Sequence, residues 1–406
     1  MSAGESDAAP VGDPAATGDG DASPASGGRN VSRDAPSGAL AVSPCDACLR
    51  RTRTVAIVAP FVERARHERR LGQLLALGED DLLAAVGGGR RDELAARLER
   101  FDAAAEREAL ARAGLTGICR HDARYPARLR VADDAPAMLA VAGPPAALAA
   151  LAAEHEIAVG IVGSRRATGY GLETARALGR GLAAAGITVV SGMALGVDSA
   201  AHTGALEVGG PTIAVLAGGA DRPYPASKAS LYRTIAGGAG CVVSEMPPGF
   251  TPFKWGFPAR NRIIAGLADA TIVVEAAHRS GSLITADFAQ ELGRIVAAVP
   301  GPVSSLTSAG TNALLRDGAE LIRDAQDMLD TLLGPGVVAV QRGPDLARLS
   351  PRLRALVERL GGRPLSPGAL LRPGDDVDAT LAALSELELL GYIHRVPGGT
   401  YVRTAS

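Results

Sequence analysis

Along residues 157–322, short solid apolar runs alternate with stretches whose apolar residues recur at helical spacing. Residues 157–162, 187–190, 212–216, 241–244, 271–274 and 295–299 read as strands. Between and after them, residues 172–185, 197–208, 228–235, 261–268, 283–292 and 312–322 read as helices. Strict alternation of strand and helix predicts a parallel sheet with helices on both faces. The strands are unbroken Val, Ile and Ala runs, as expected when both faces are buried.

The pattern differs on either side. Leu71, Leu74, Leu75 and Leu77, then Leu82, Leu83 and Val86, then Leu94, Leu98 and Phe101 recur at helical spacing over residues 54–117. Gly78, Gly87 to Gly89 and Gly114 punctuate them, which predicts three to four helices. Downstream, residues 336–344 read as a linker. Helices follow at 351–360, 364–371 and 377–390, then a hairpin at 391–403 turning on Pro397-Gly398-Gly399. Three helices and a terminal hairpin predict a winged helix-turn-helix. The organisation is thus an acidic tail (1–42), a helical domain (43–117), an α/β core (118–335), a linker (336–344) and a winged-helix domain (345–406).

Composition fits this division. The tail is Ala, Gly, Ser, Pro and Asp without an aromatic residue, and its six acids face two arginines. It cannot bury enough apolar surface to offset its chain entropy, so it is expected to be disordered. The whole chain has 406 residues, 47% hydrophobic residues and a net charge of −2. That charge excludes a protein coated in basic residues, so a nucleic-acid site must be local. Four cysteines exclude a disulfide scaffold and suit a reducing compartment. The first twenty residues lack the basic start of a secretory signal. The longest uncharged run, 135–153, is alanine-rich and broken by Gly143-Pro144-Pro145, too weak for a membrane span. A cytoplasmic protein without membrane contact is expected.

In an open parallel sheet, ligands sit at the carboxyl ends of the strands. There the sequence has Gly163-Ser164-Arg165-Arg166 after the first core strand, Ser191 to Gly196 after the second, and Gly218-Gly219 after the third. Glycines at such turns let backbone N–H groups approach an anion. Neither a G-x-G-x-x-G nor a G-x-x-x-x-G-K-[ST] occurs on them, so neither ordinary dinucleotide binding nor a P-loop is supported.

Charge narrows the reading. Only two of the 42 basic residues are lysines, Lys228 and Lys254. Both fall between Arg222 and Arg262, where six basic residues face one acid, Glu245. Tyr224, Phe250, Phe253, Trp255 and Phe257 lie among them in a chain only 3% aromatic. Cations that track phosphates, interleaved with rings that stack on bases, suit single-stranded nucleic acid.

Motifs across residues 120–330 then resemble the DprA/Smf family of bacterial DNA-processing proteins. They include Gly163-Ser164-Arg165, Ser191 to Asp198 with Ala201-His202, Ser244-Glu245-Met246-Pro247 and Phe257 to Leu267. Glu275-Ala276, Ser280 to Ala286, Ala298 to Gly301 and Gly310-Thr311-Asn312 follow in family order. The resemblance implies an extended Rossmann-like core, a SAM-like helical domain and a homodimer. It also implies a protein that protects incoming single-stranded DNA and helps load RecA recombinase during transformation or recombination. The strand contacts implied are Gly163, Ser164, Arg165, Gly192, Lys254, Phe257, Arg260, Asn261, Arg262, Ser280, Gly281 and Ser282. Lys228 stands where the family commonly has asparagine, and supplies a phosphate contact from a displaced position. No catalytic residue, cofactor or resident metal is implied. The dimer surface is expected on the last core helix, at Leu314, Leu315, Leu321 and Ile322.

Three other readings compete. Related folds include nucleotide phosphoribohydrolases; Glu245 and Glu275 end strands and could act as acids or bases. More often such residues cap a turn or pair with an arginine, here Arg260 or Arg262. The hydrolases' glutamate-bearing loop is also missing after Gly310-Thr311, where Asn312-Ala313-Leu314-Leu315 stand. His202 beside Asp198 has no nucleophile to serve and reads as a packing residue. A duplex-DNA regulator would use the third C-terminal helix, but Asp375, Asp376, Asp378, Glu386 and Glu388 would repel phosphate there. That domain reads as an accessory or protein-interaction module, with Arg395 and Arg403 open to backbone contacts. Finally, Cys45-Asp46-Ala47-Cys48 is half of a zinc knuckle or a redox pair. Cys119 and His121 could complete four ligands from more than seventy residues away.

Overall fold

The computed structural model describes residues 43–62, 71–153, 156–238, 240–337, 349–360, 365–372, 375–396 and 398–403. The acidic tail and most of the linker lie outside these residues. Nine strands form one sheet: β1 (Leu115–Cys119), β2 (Met138–Ala142), β3 (Ala158–Val162), β4 (Thr188–Ser191), β5 (Thr212–Val215), β6 (Cys241–Ser244), β7 (Ala270–Val273), β8 (Ile295–Ala298) and β9 (Glu320–Leu321). Their spatial order is β1-β2-β6-β5-β4-β3-β7-β8-β9. Pairing is parallel from β6 through β9, whereas β1 and β2 add an antiparallel edge. The six expected strands are all present. The wholly parallel expectation is corrected by that edge.

The central strands are apolar throughout because they are covered twice. Side chains alternate across a strand, so Val159 and Ile161 of β3 enter one core cluster, with Ala158 and Val162 entering the other. Helices Gly169–Ala184 and Val197–Glu207 cover the first face through Ala175, Leu178, Leu182, Ala201 and Ala205. Helices Gly256–Leu267 and Leu283–Glu291 cover the second through Ile263, Ile264, Leu267 and Ala286. Each fully buried Val, Ile or Leu contributes about 1.5–3 kcal/mol relative to exposure. Such a sheet is a rigid base for the loops at its edge.

The helical segment forms five α-helices among the described residues: Asp46–Val58, Leu71–Ala76, Glu79–Gly87, Arg91–Glu99 and Ala103–Arg112. Its apolar cluster includes Met246, Trp255 and Ala259 from the α/β core. The Trp255 indole N–H donates to the Ala59 carbonyl at 2.6 Å. The layer therefore shares its core with the segment that carries Lys254 and Phe257.

The expected last core helix is shorter than its pattern. It spans Ala309–Arg316; Leu321 lies on β9, and Ile322 is fully buried in the sheet core. A further helix, Ala325–Leu333, follows. Leu314, Leu315, Leu321 and Ile322 thus do not share one helical face, which corrects the single helix read from sequence. At the C-terminus, helices Pro351–Leu360, Pro367–Leu370 and Val377–Leu389 precede a hairpin of β10 (Ile393–Val396) and β11 (Thr400–Arg403). They enclose their own apolar cluster around Leu356, Val357, Leu384 and Leu387.

Candidate nucleic-acid interface

The connections leaving β3 and β7 run to opposite sides of the sheet, so these neighbours bound a topological switch point. A cleft of 1360 Å³ opens there. The loop after β3 supplies Gly163, Ser164, Arg165 and Arg166 to its wall, and the loop after β7 supplies Ser280, Gly281 and Ser282. The two loops are tied together: Ser164 N–H donates to the Glu275 carbonyl at 2.7 Å. Lys254, Phe257, Arg260 and Asn261 come from the start of helix Gly256–Leu267 and the residues before it.

The chemistry of the wall follows from burial. Arg165, Arg166 and Lys254 are exposed, and Phe257 is half-buried. The Arg165 guanidinium lies 5.0 Å from the centroid of the Phe257 ring, a cation–π contact. Tyr224 packs on the same ring at 5.4 Å between centroids. Asn261 donates to the Gly281 carbonyl at 3.1 Å, joining the helix to the β7 loop. Helix Leu283–Glu291 opens at Ser282 without a side-chain cap, and its first turn lines the cleft through Ile284 and Thr285. In that turn Leu283 N–H donates to the Ser280 carbonyl and Thr285 N–H to the Ser282 carbonyl, both at 3.1 Å.

Arg260 reaches the cleft from below. It is buried, donates to the Gly192 carbonyl at 2.6 Å and also to the Val215 carbonyl. Burial lowers its pKa to about 10, against the favourable charge of Asp198, and so leaves it protonated at neutral pH. Asp198 is raised by its own burial, offset by Arg260. A Cβ at Gly192 would lie 2.1 Å from Arg260 Nη1, so a side chain there would displace this guanidinium. At the end of that loop, Gly196 has φ 81°, and a Cβ would meet the Ser164 carbonyl at 2.1 Å. Only glycine fits both the backbone and the space.

The structure therefore gathers ten of the thirteen residues selected from sequence: Gly163, Ser164, Arg165, Lys254, Phe257, Arg260, Asn261, Ser280, Gly281 and Ser282. Gly192 lies under the wall against Arg260. Lys228 ends a short turn of helix, Ala226–Lys228, away from the cleft lining. Arg262 faces elsewhere: it is buried and bound to Glu245 at 2.6 and 3.1 Å, with Asp134 at 3.2 Å. Of the interleaved aromatics, Trp255 is a core anchor and Phe250 packs on the same helical cluster.

The remaining candidates are engaged within the fold. Glu275 accepts from Thr168 N–H at 2.8 Å and from the Thr307 hydroxyl, with no arginine partner among its hydrogen bonds. His202 is fully buried, with Nδ1 2.7 Å from the Thr212 hydroxyl, and burial lowers its pKa to about 3. Sequence reasoning missed Leu71, Gly72 and Gln73, which reach the cleft from the helical layer, and Asp287, Phe288 and Glu291 on the far wall. Arg166 was legible beside Arg165; the others carry no signal apart from the fold.

Together the sheet and its cleft define a class: a Rossmann-like α/β protein whose switch-point cleft bears exposed cations beside an aromatic ring. Residues 116–333 match the family model of DNA recombination-mediator protein A. The chain is 42% identical over 292 residues to the putative DNA processing protein DprA of Mycobacterium tuberculosis, covering 68% of this chain and 74% of that one. It is 38% identical over 291 residues to protein Smf of Escherichia coli, covering 69% and 75%. The solved structure of DNA processing protein A from Streptococcus pneumoniae superimposes with a TM-score of 0.56 at 33% identity, covering 71% of this chain and 98% of that one. The chain belongs to the DprA/Smf family of DNA-processing proteins. Among the described residues, no helix is long and apolar enough to cross a membrane.

Proposed function

We propose that the cleft binds single-stranded DNA and does so without chemistry. The observation that carries this reading is the meeting of exposed Arg165 and Lys254 with the Phe257 ring in one cleft. Cations hold phosphates and a ring stacks on a base, and neither needs a reacting group. Glu245 is bound to Arg262 and Glu275 to Thr168 and Thr307, which favours binding over hydrolysis. Protection of incoming single strands, loading of RecA recombinase, a homodimer and a cytoplasmic location complete the proposal, on the strength of family membership.

Fluorescence anisotropy of labelled oligo-dT, with duplex of equal length as competitor, tests it at two salt concentrations. Salt-sensitive binding that duplex does not displace is expected. Folded protein that ignores oligo-dT at low salt would overturn the reading, and turnover of nucleotides would favour the hydrolase alternative.

A further inference from the structure

Cys45 precedes helix Asp46–Val58, and Cys48 lies in its first turn. Cys119 ends β1, and His121 follows two residues later. The fold brings these distant pairs into one cluster. Both Cys45 Sγ and Cys48 Sγ lie 3.4 Å from His121 Nδ1. The four candidate ligand atoms all lie within 4.8 Å of one another. A tetrahedral zinc ion with Zn–S of about 2.3 Å and Zn–N of about 2.0 Å requires ligand atoms roughly 3.5–3.8 Å apart. The cluster is near that size without rearrangement of the backbone.

The surrounding packing is built for the approach. Gly117 of β1 lies so close to Pro44 that a Cβ would meet its ring at 2.5 Å. This contact sets Cys45 beside the end of the strand. Arg107 donates to the Pro44 carbonyl at 3.0 Å and braces the same turn. Cys48 and Cys119 are buried, Cys45 is half-buried and His121 is exposed. Three thiols and an imidazole sharing one point exceed what a single disulfide would use. The fourth cysteine, Cys241, lies in the sheet core and is not in the cluster.

We propose that Cys45, Cys48, Cys119 and His121 form a structural zinc site that staples the first helix to the edge strand of the sheet. Three thiols each lose a proton to solvent as the dication binds, and neutral His121 supplies Nδ1. All four positions are filled by protein, so the site is closed and does no catalysis. The site is independent of the DNA cleft and stands or falls separately from it.

Full-length protein purified in reducing, chelator-washed buffer should carry about one zinc per chain by elemental analysis. After metal removal, added Co²⁺ should give thiolate-to-metal charge transfer and the intense visible bands of a tetrahedral site. Cys48→Ser should lose both signals, and Cys241→Ser should keep both. If Cys48→Ser fails to fold, the cobalt spectrum of wild-type apoprotein still decides. Folded, reduced protein that carries no zinc and gives no tetrahedral cobalt spectrum would overturn the site.

Discussion

Arg260 and Arg262 stand two positions apart on one helix and face different surroundings. Arg262 neutralises Glu245 in the interior. Removing one partner of a buried pair leaves an uncompensated charge, so Arg262→Ala should lower unfolding free energy by roughly 3–5 kcal/mol in urea titrations. Lys254 is exposed, so Lys254→Ala should leave stability within about 0.5 kcal/mol. It should instead weaken oligo-dT binding and reduce the slope of log K against log salt by about 0.7. An unchanged slope would remove Lys254 from the interface. His202 gives a pH signature. Its folded pKa, about 3, lies below the ordinary imidazole value. The unfolded chain therefore binds the extra proton, and stability is lost as pH falls below about 6.5. From this residue alone the loss at pH 5 is about 2 kcal/mol. A His202→Gln variant should show a correspondingly flatter decline between pH 7 and pH 5. At this scale the sequence showed a window rich in cations and rings, of which Lys254, Phe257 and Arg260 line the cleft. It did not show which of the two arginines faces the cleft, because that depends on helix phase against two other elements.

Helix Gly256–Leu267 and the residues before it connect the layers. Trp255 fills the helical cluster while its neighbours Lys254 and Phe257 line the cleft. Trp255→Ala should cost about 3–5 kcal/mol. It should also weaken oligo-dT binding although the indole does not line the cleft. Normal binding by folded variant protein would show that the anchor is irrelevant to the site. The elements differ in how legible they were. β3 to β8 were readable because burial on both faces leaves solid apolar runs. β2 has such a run, Met138-Leu139-Ala140-Val141-Ala142, but its alanines and the following Gly143-Pro144-Pro145 gave it no strand pattern of its own. β9 has only Glu320 and Leu321, both exposed, and so leaves no hydrophobic trace. Leu321 and Ile322 therefore continue the helical spacing of Leu314 and Leu315 in the sequence although they lie beyond that helix.

At the scale of the whole molecule, changes of period suggest a division into parts, but the sharing of cores leaves no trace in the sequence. The helical layer buries Met246, Trp255 and Ala259 and lends Leu71, Gly72 and Gln73 to the cleft, contacts that join residues nearly two hundred positions apart. The metal-ligand cluster is similarly non-local: its halves were visible, and only the fold joins them. The central claim is that a single strand lies in the switch-point cleft and not on the C-terminal hairpin, where Arg395 and Arg403 stand. Ultraviolet cross-linking of bound oligo-dT, followed by peptide mass spectrometry, tests that claim most directly. Adducts on the peptides carrying Lys254 to Phe257 and Ser280 to Ile284 are predicted. Adducts confined to residues 393–403, with the cleft peptides unmodified, would contradict it.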